Sequence, residues 1–204
     1  MVERSVLKTN AKNQLRGKWG IAVLSFLIGI IVISIFSGIG NFVDSNGLKI
    51  VLGLIPLLIT GAICYGLCNI SLNFANNNEV QISDVFAGFN SRVYLKTLGL
   101  NILIGILVCI GTCILIIPGI ILALMYSQAF FILCEDNDKG VIECMKESSA
   151  MMKGHKCELF VLELSFILWG LLCMITFGIA SLWVTPYMYV TYANYYKALV
   201  GVVQ

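Results

Sequence analysis

The chain has 204 residues, 59% of them apolar and only 12% charged, with a mean hydropathy of +0.92 and a formal net charge of +2. Soluble domains carry about a quarter charged residues, so a water-soluble core is excluded and the bilayer is the expected solvent. The small net charge gives no strongly basic surface for nucleic acid, and no nucleic-acid module is present in the sequence.

The first element in chain order is amphipathic. Arg4, Lys8, Lys12 and Arg16 recur every four residues, and Leu7, Ala11 and Leu15 form an apolar row beside them, a spacing that predicts a helix with two faces. The favoured reading lays this helix in the headgroup plane of the bilayer, its four cations facing anionic lipid headgroups. Packing on a helical bundle and docking on a partner are the alternatives the spacing leaves open. The apolar segment that begins near Trp19 is too long for a signal-peptide core and lacks a small-residue cleavage pattern, so it is expected to remain in the protein.

Four stretches carry no charge: Ile21 to Ile39, Ile50 to Asn78, Thr97 to Cys134 and Leu164 to Tyr196. About 20 apolar residues cross a bilayer. The expected fold is therefore all-α, a polytopic membrane bundle of about six transmembrane helices near 20–40, 50–74, 95–115, 118–134, 159–177 and 180–198. They form three hairpins, each preceded by a short amphipathic helix on the cytoplasmic side. Basic residues cluster before the first span, after the second (Arg92, Lys96) and after the fourth (Lys139, Lys146, Lys153, Lys156), with Lys49 alone opposite them. The positive-inside rule then puts both termini in the cytoplasm.

The stretch from Thr97 to Cys134 is 38 residues, too long for one span and short for two, so the second hairpin must turn tightly. Its tip, Cys113 to Gly119, and that of the third hairpin, Thr176 to Trp183, carry no charge. Only the first hairpin has a polar outer loop, 40–47. Full crossing by all three is expected. Pro56, Pro118 and Pro186, the only prolines, each fall near the start of the second helix of a hairpin, where a missing N–H costs little. Together with the Ser25-Phe26 and Ser165-Phe166 pairs, they suggest one transmembrane domain of three repeat units, 3–75, 80–136 and 138–200. The segments preceding the second and third hairpins contain Phe86-Ala-Gly-Phe89 and, on one helical face, Val141, Met145, Ser148 and Met152.

Glu163 is the one carboxylate well inside a span, and intramembrane carboxylates are costly and often functional. The plain alternative is an ion pair with Lys156, Lys153, His155 or Lys96. Asn101 heads a small-residue stripe continued by Gly105, Cys109 and Cys113, where it is expected to donate a hydrogen bond between helices. Thr60, Cys64 and Cys68 make a second stripe. Tyr189, Tyr192 and Asn194 belong to a polar, aromatic cluster in the last span. The ligand-binding candidates are thus Glu163, Asn101, Tyr189, Tyr192 and Asn194. The two i,i+4 cysteine pairs could in principle bind a soft metal, but without a histidine or polar surroundings packing is the favoured reading; with no catalytic set and no phosphate-cradling loop in the sequence, no enzyme, cofactor or metal is expected. The eight cysteines contain no CxxC pair, and a disulfide framework is not expected.

Blocks through the whole chain resemble bacterial integral membrane proteins of the domain of unknown function 975 family. They are Ala11-Lys12 with Leu15-Arg16-Gly17 and Trp19-Gly20, Phe86-Ala-Gly-Phe89, Ile117-Pro-Gly-Ile120, Tyr126-Ser127, Met151-Met-Lys-Gly-His-Lys156, Leu164-Ser-Phe166 with Trp169, and Leu182-Trp183 with Pro186-Tyr187. The resemblance implies a multi-pass protein of the bacterial plasma membrane and implies no activity. The expected function is non-enzymatic binding or transport, or assistance to transport, of a small or lipidic ligand. The alternative is a scaffold that docks through its basic helices on anionic lipid, on a membrane-protein partner or on a second copy of itself.

Overall fold

The computed structural model describes residues 3–39 and 46–203, with side chains placed for 3–38 and 53–201. Every regular element among them is helical: α1 (Arg4–Leu15), α2 (Trp19–Ile39), α3 (Asn46–Ala75), a 3₁₀ helix (Ile82–Phe89), α4 (Tyr94–Ile114), α5 (Ile116–Tyr126), α6 (Ala129–Glu135), α7 (Val141–Met151), α8 (Lys156–Leu164), α9 (Ile167–Ile175) and α10 (Ser181–Val203). Residues 40–45 of the expected outer loop lie outside the described residues, and its last two residues open α3.

Five helical stretches among the described residues are long and apolar enough to cross a membrane: Trp19–Gly38, Gly53–Ala75, Tyr94–Ile114, Ile116–Glu135 and Lys156–Ile175. They agree closely with the first five expected spans. α10 differs in kind. Thr185, Pro186, the tyrosines, Asn194 and Lys197 dilute its apolar character, and its Val190, Ala193, Tyr195, Tyr196 and Leu199 are buried by the other helices. A helix sheltered by protein can carry polar groups that a lipid-facing helix cannot.

The second hairpin resolves its length problem at both ends. α4 and the α5–α6 pair extend outward past the uncharged stretch to Tyr94 and Glu135, and a single extended residue, Leu115, joins Ile114 to Ile116. Such a turn needs close helices. A Cβ on Gly119 would lie 2.9 Å from Thr112 Cα, and one on Gly111 would lie 3.1 Å from Gly119 Cα. Of the three prolines, only Pro118 occupies a first turn. Pro56 and Pro186 stand inside α3 and α10: α3 begins at Asn46, ahead of its expected start at 50, whereas α10 begins at Ser181, close to its expected start at 180, and Pro186 falls in its second turn; beyond Pro56 the Thr60 hydroxyl donates to the Pro56 carbonyl at 2.7 Å.

α3 is the central staff. It packs against α1, α2, the 3₁₀ helix, α4, α6 and α10, and small residues let their backbones approach. A Cβ on Gly66 would lie 2.6 Å from Val85 C, one on Gly88 would lie 2.7 Å from Ala62 Cα, and one on Gly61 would lie 2.7 Å from Thr97 O. The expected amphipathic segment before the second hairpin is this 3₁₀ helix, wedged against α3 by Val85 and Gly88 with Phe86 and Phe89 turned outward.

The other two such segments also turn their apolar faces to the bundle. Leu7, Ala11 and Leu15 of α1 are buried, as are Met145, Ser148 and Met152 of the α7 segment. Their apolar rows therefore meet protein, as in the packed alternative, and do not dip into lipid. The two Ser-Phe pairs make similar contacts: Phe26 meets Tyr189 edge-on at 5.1 Å, and Phe166 meets Tyr187 edge-on at 5.4 Å.

Gly66→Ala and Gly105→Ala are expected to part company. At Gly105 nothing lies within 4 Å of a new Cβ, so the substitution gains up to about 1 kcal/mol of helix propensity. At Gly66 the obstructing atoms are backbone, and overpacking of this kind costs about 1–3 kcal/mol. Thermal unfolding of the purified protein in detergent should show a raised or unchanged midpoint for Gly105→Ala and a clearly lowered one for Gly66→Ala.

Candidate functional site

The span from Lys156 to Ile175 is not one continuous helix. α8 ends at Leu164, the chain tightens through Ser165 and Phe166, and α9 resumes at Ile167. The freed Ser165 carbonyl is met by Lys8, whose Nζ donates to it at 3.0 Å and lies 4.1 Å above the Phe166 ring. A cation on the last carbonyls of a helix is favourable, and Lys8 is drawn inward to supply it. Burial, then the neighbouring Arg4 and Lys12, push the Lys8 ammonium below its ordinary pKa. Of the four basic residues read as one lipid-facing row, Arg4, Lys12 and Arg16 are exposed and Lys8 is half-buried against protein. Lys12 Nζ lies 5.9 Å from the centre of the Tyr187 ring.

Glu163 stands in the last turn of α8, seven residues or roughly 10 Å along the span from Lys156. Among the described residues it has no ion-pair partner. Two of the four partners expected for it are engaged elsewhere: His155 Nδ1 lies 3.1 Å from Glu158 Oε2, and Lys96 Nζ donates to the Asn137 and Asp138 carbonyls at 2.6 and 3.0 Å. Glu163 instead rims a cavity of about 240 Å³ bounded by Cys64 and Cys68 of α3, Ser127 and Gln128 of the α5–α6 turn, Phe130 and Phe131 of α6, Leu159 of α8, and Tyr189 and Tyr192 of α10.

One residue lining this cavity holds an unsatisfied group. Gln128 is 1% exposed, and its Oε1 has no hydrogen-bond partner among the described residues. The orientation of the amide follows from its neighbour. The Ser127 hydroxyl spends its proton on the Leu124 carbonyl at 2.8 Å, so its oxygen can only accept, and Gln128 Nε2 donates to it at 2.8 Å. That leaves the carbonyl oxygen of Gln128 without a donor, enclosed by protein beside the cavity. A buried acceptor without a donor costs about 1–3 kcal/mol, and such groups mark sites that something else completes.

Three of the five expected ligand contacts, Glu163, Tyr189 and Tyr192, meet at this cavity. Asn101 does not. Its Nδ2 donates to the Leu57 carbonyl at 3.3 Å, the interhelical bond expected of it. Asn194 is likewise structural: Gln14 Nε2 donates to Asn194 Oδ1 at 3.1 Å, and Asn194 Nδ2 donates to Gln14 Oε1 at 2.6 Å. This reciprocal amide pair ties α1 to α10. Gln14 and Lys197 also donate to the Ala75 carbonyl at the end of α3, each at 3.1 Å. Sequence reasoning missed Ser127 and Gln128, although two adjacent polar residues toward the end of a 38-residue uncharged stretch were a signal.

The family described as "Protein of unknown function (DUF975)" is matched over residues 1–117 and 108–202. The chain belongs to this family. No curated protein and no solved structure matches it.

Asn194→Ala strands the Gln14 amide at a half-buried joint between α1 and α10. Interhelical hydrogen bonds in membrane proteins average about 0.6 kcal/mol and reach about 1.7, so thermal unfolding in detergent should show a loss in that range. The Gln14→Ala/Asn194→Ala double variant should lose less than the sum of the single variants.

Proposed function

We propose that this protein is a non-enzymatic, multi-pass protein of a bacterial plasma membrane that binds or passes a small ligand through the cavity between α3, α6, α8 and α10. In this reading α10 is the sixth span, the helices pair as three hairpins, and both termini are cytoplasmic. The observation that carries it is the cavity: it is roomy, it is rimmed by a carboxylate in the last turn of α8, just before that helix is interrupted, and one of its lining residues, Gln128, holds an unpartnered buried acceptor. Interrupted helices in membranes are tolerated where they line a cavity or are buried in protein. A sealed apolar interior is what a pure scaffold would need.

A second reading is a scaffold on anionic lipid. It is favoured by Arg4, Lys12 and Arg16, which are exposed on the same helix whose apolar row is buried.

Access to the cavity separates the two. In a chain retaining only Cys64, a small thiol reagent such as methyl methanethiosulfonate should modify the folded protein, and Leu159→Trp, which fills the cavity, should slow that reaction at least tenfold. Reaction only after unfolding would mean a sealed interior and would hand the function to the scaffold reading.

The crossing of the second and third hairpins is tested separately. Cysteines placed at Ile117 and Ile179, on tips whose native side chains are 70% and 64% exposed, should react with an impermeant reagent added from outside. Complete protection at both would confine those tips to the membrane.

A further inference from the structure

The chemistry lining the cavity specifies more than a generic ligand. One charged acceptor rims it, the Glu163 carboxylate; Gln128, which also lines it, keeps its unpartnered Oε1 enclosed by protein. The Tyr189 and Tyr192 hydroxyls have no hydrogen-bond partner among the described residues and can either donate or accept. Ser127 has both its proton and its accepting role engaged inside the protein. No lysine, arginine or histidine lines the cavity; Lys8, the cation bound to α8, is committed to the Ser165 carbonyl on another face of that helix. An anion would find a carboxylate and no countercharge. A neutral guest would leave Glu163 without a partner at the depth of the span, where an uncompensated carboxylate is expensive.

The walls agree with the polar census. Phe130, Phe131, Tyr189 and Tyr192 supply four aromatic rings. Three are braced by other rings: Phe131 stacks on Tyr196 at 5.6 Å, Tyr189 meets Phe26 edge-on, and Tyr192 meets Phe166 edge-on at 6.4 Å. Ring faces attract cations by up to about 2 kcal/mol when desolvated, which is how alkylammonium groups are recognised. A volume of about 240 Å³ exceeds the roughly 150 Å³ that suffices for benzene.

On the reading that this cavity is a ligand site, we propose that its ligand is a small organic cation, an amine of about ten heavy atoms. Its ammonium group lies against Glu163, which supplies the countercharge, and its apolar body lies against the tyrosine and phenylalanine rings.

Three probes of matched size and different charge test this: 2-phenylethylammonium, 2-phenylethanol and phenylacetate, each titrated calorimetrically into the purified full chain in detergent at neutral pH. The cation should bind saturably and at least tenfold more tightly than the other two. Glu163→Gln should weaken it at least tenfold while leaving the unfolding midpoint of the ligand-free protein unchanged or raised, since it removes an unpartnered carboxylate. Equal or tighter binding of the alcohol or the acid would overturn the cation assignment while leaving the cavity a binding site. Binding of the cation that survives both Glu163→Gln and Leu159→Trp would also overturn it, by placing the cation elsewhere. No binding by any probe overturns the assignment too; the separate reactivity of Cys64 then decides whether the cavity itself is open.

Discussion

The packing of α3 depends on the absence of side chains at a few points. In lipid, helices are not pushed together by water, so van der Waals contact between closely approaching backbones has to supply much of the cohesion. Gly61, Ala62 and Gly66 let α4 and the 3₁₀ helix settle directly on the α3 backbone, and Gly88 returns the contact from the other side. This arrangement buries Ile63, Ile70 and Phe74 at the centre of the molecule. It also holds Cys64 and Cys68 at the cavity wall. The site borders this close packing: where α3 meets α4 and the 3₁₀ helix backbones touch, and Cys64 and Cys68 of the same helix line the cavity with Leu159 and Glu163 of α8 and Tyr189 and Tyr192 of α10.

A second organising element is the set of polar ties at the ends of the helices. Lys8 on the α8 carbonyl, the Gln14–Asn194 amide pair, and Lys197 with Gln14 on the last carbonyl of α3 join α1 and α10 to the rest of the bundle. α1 is thereby a structural strap whose charged residues divide into two kinds. Lys8 is spent inside the protein, whereas Arg4, Lys12 and Arg16 remain outside. The periodicity of four that groups them cannot separate them, because it records a helical face and not what the face meets.

The same distinction governs what was legible in the sequence. Uncharged length and the aversion of lipid to charge are strong one-dimensional signals, and the first five spans follow from them within a few residues. α10 was harder, because burial by protein relaxes the rule that makes a span readable. Asn101 was read for its bond across to α3, since a lone amide in an apolar helix has few other places to go. The cavity was legible only in part. Glu163, Tyr189 and Tyr192 attract attention in sequence, but Gln128 enters through a turn that interrupts α5 and α6, and the sequence places no helix end there. Asn194 looks the same as a ligand contact until Gln14, 180 residues away, is seen to occupy it.

The one-residue connection at Leu115 bears on how the protein is made. Its N–H is already bonded to the Gly111 carbonyl at 3.1 Å, and the residues around it, Ile114, Ile116 and Ile117, are apolar and exposed. A hairpin with such a tip brings no charged or strongly hydrated loop that must be carried through hydrocarbon before its helices can settle. The α4–α5 pair can therefore enter the bilayer from one side as a preformed unit. Insertion and folding of that hairpin then become a single event, with no separate step of translocating a polar loop.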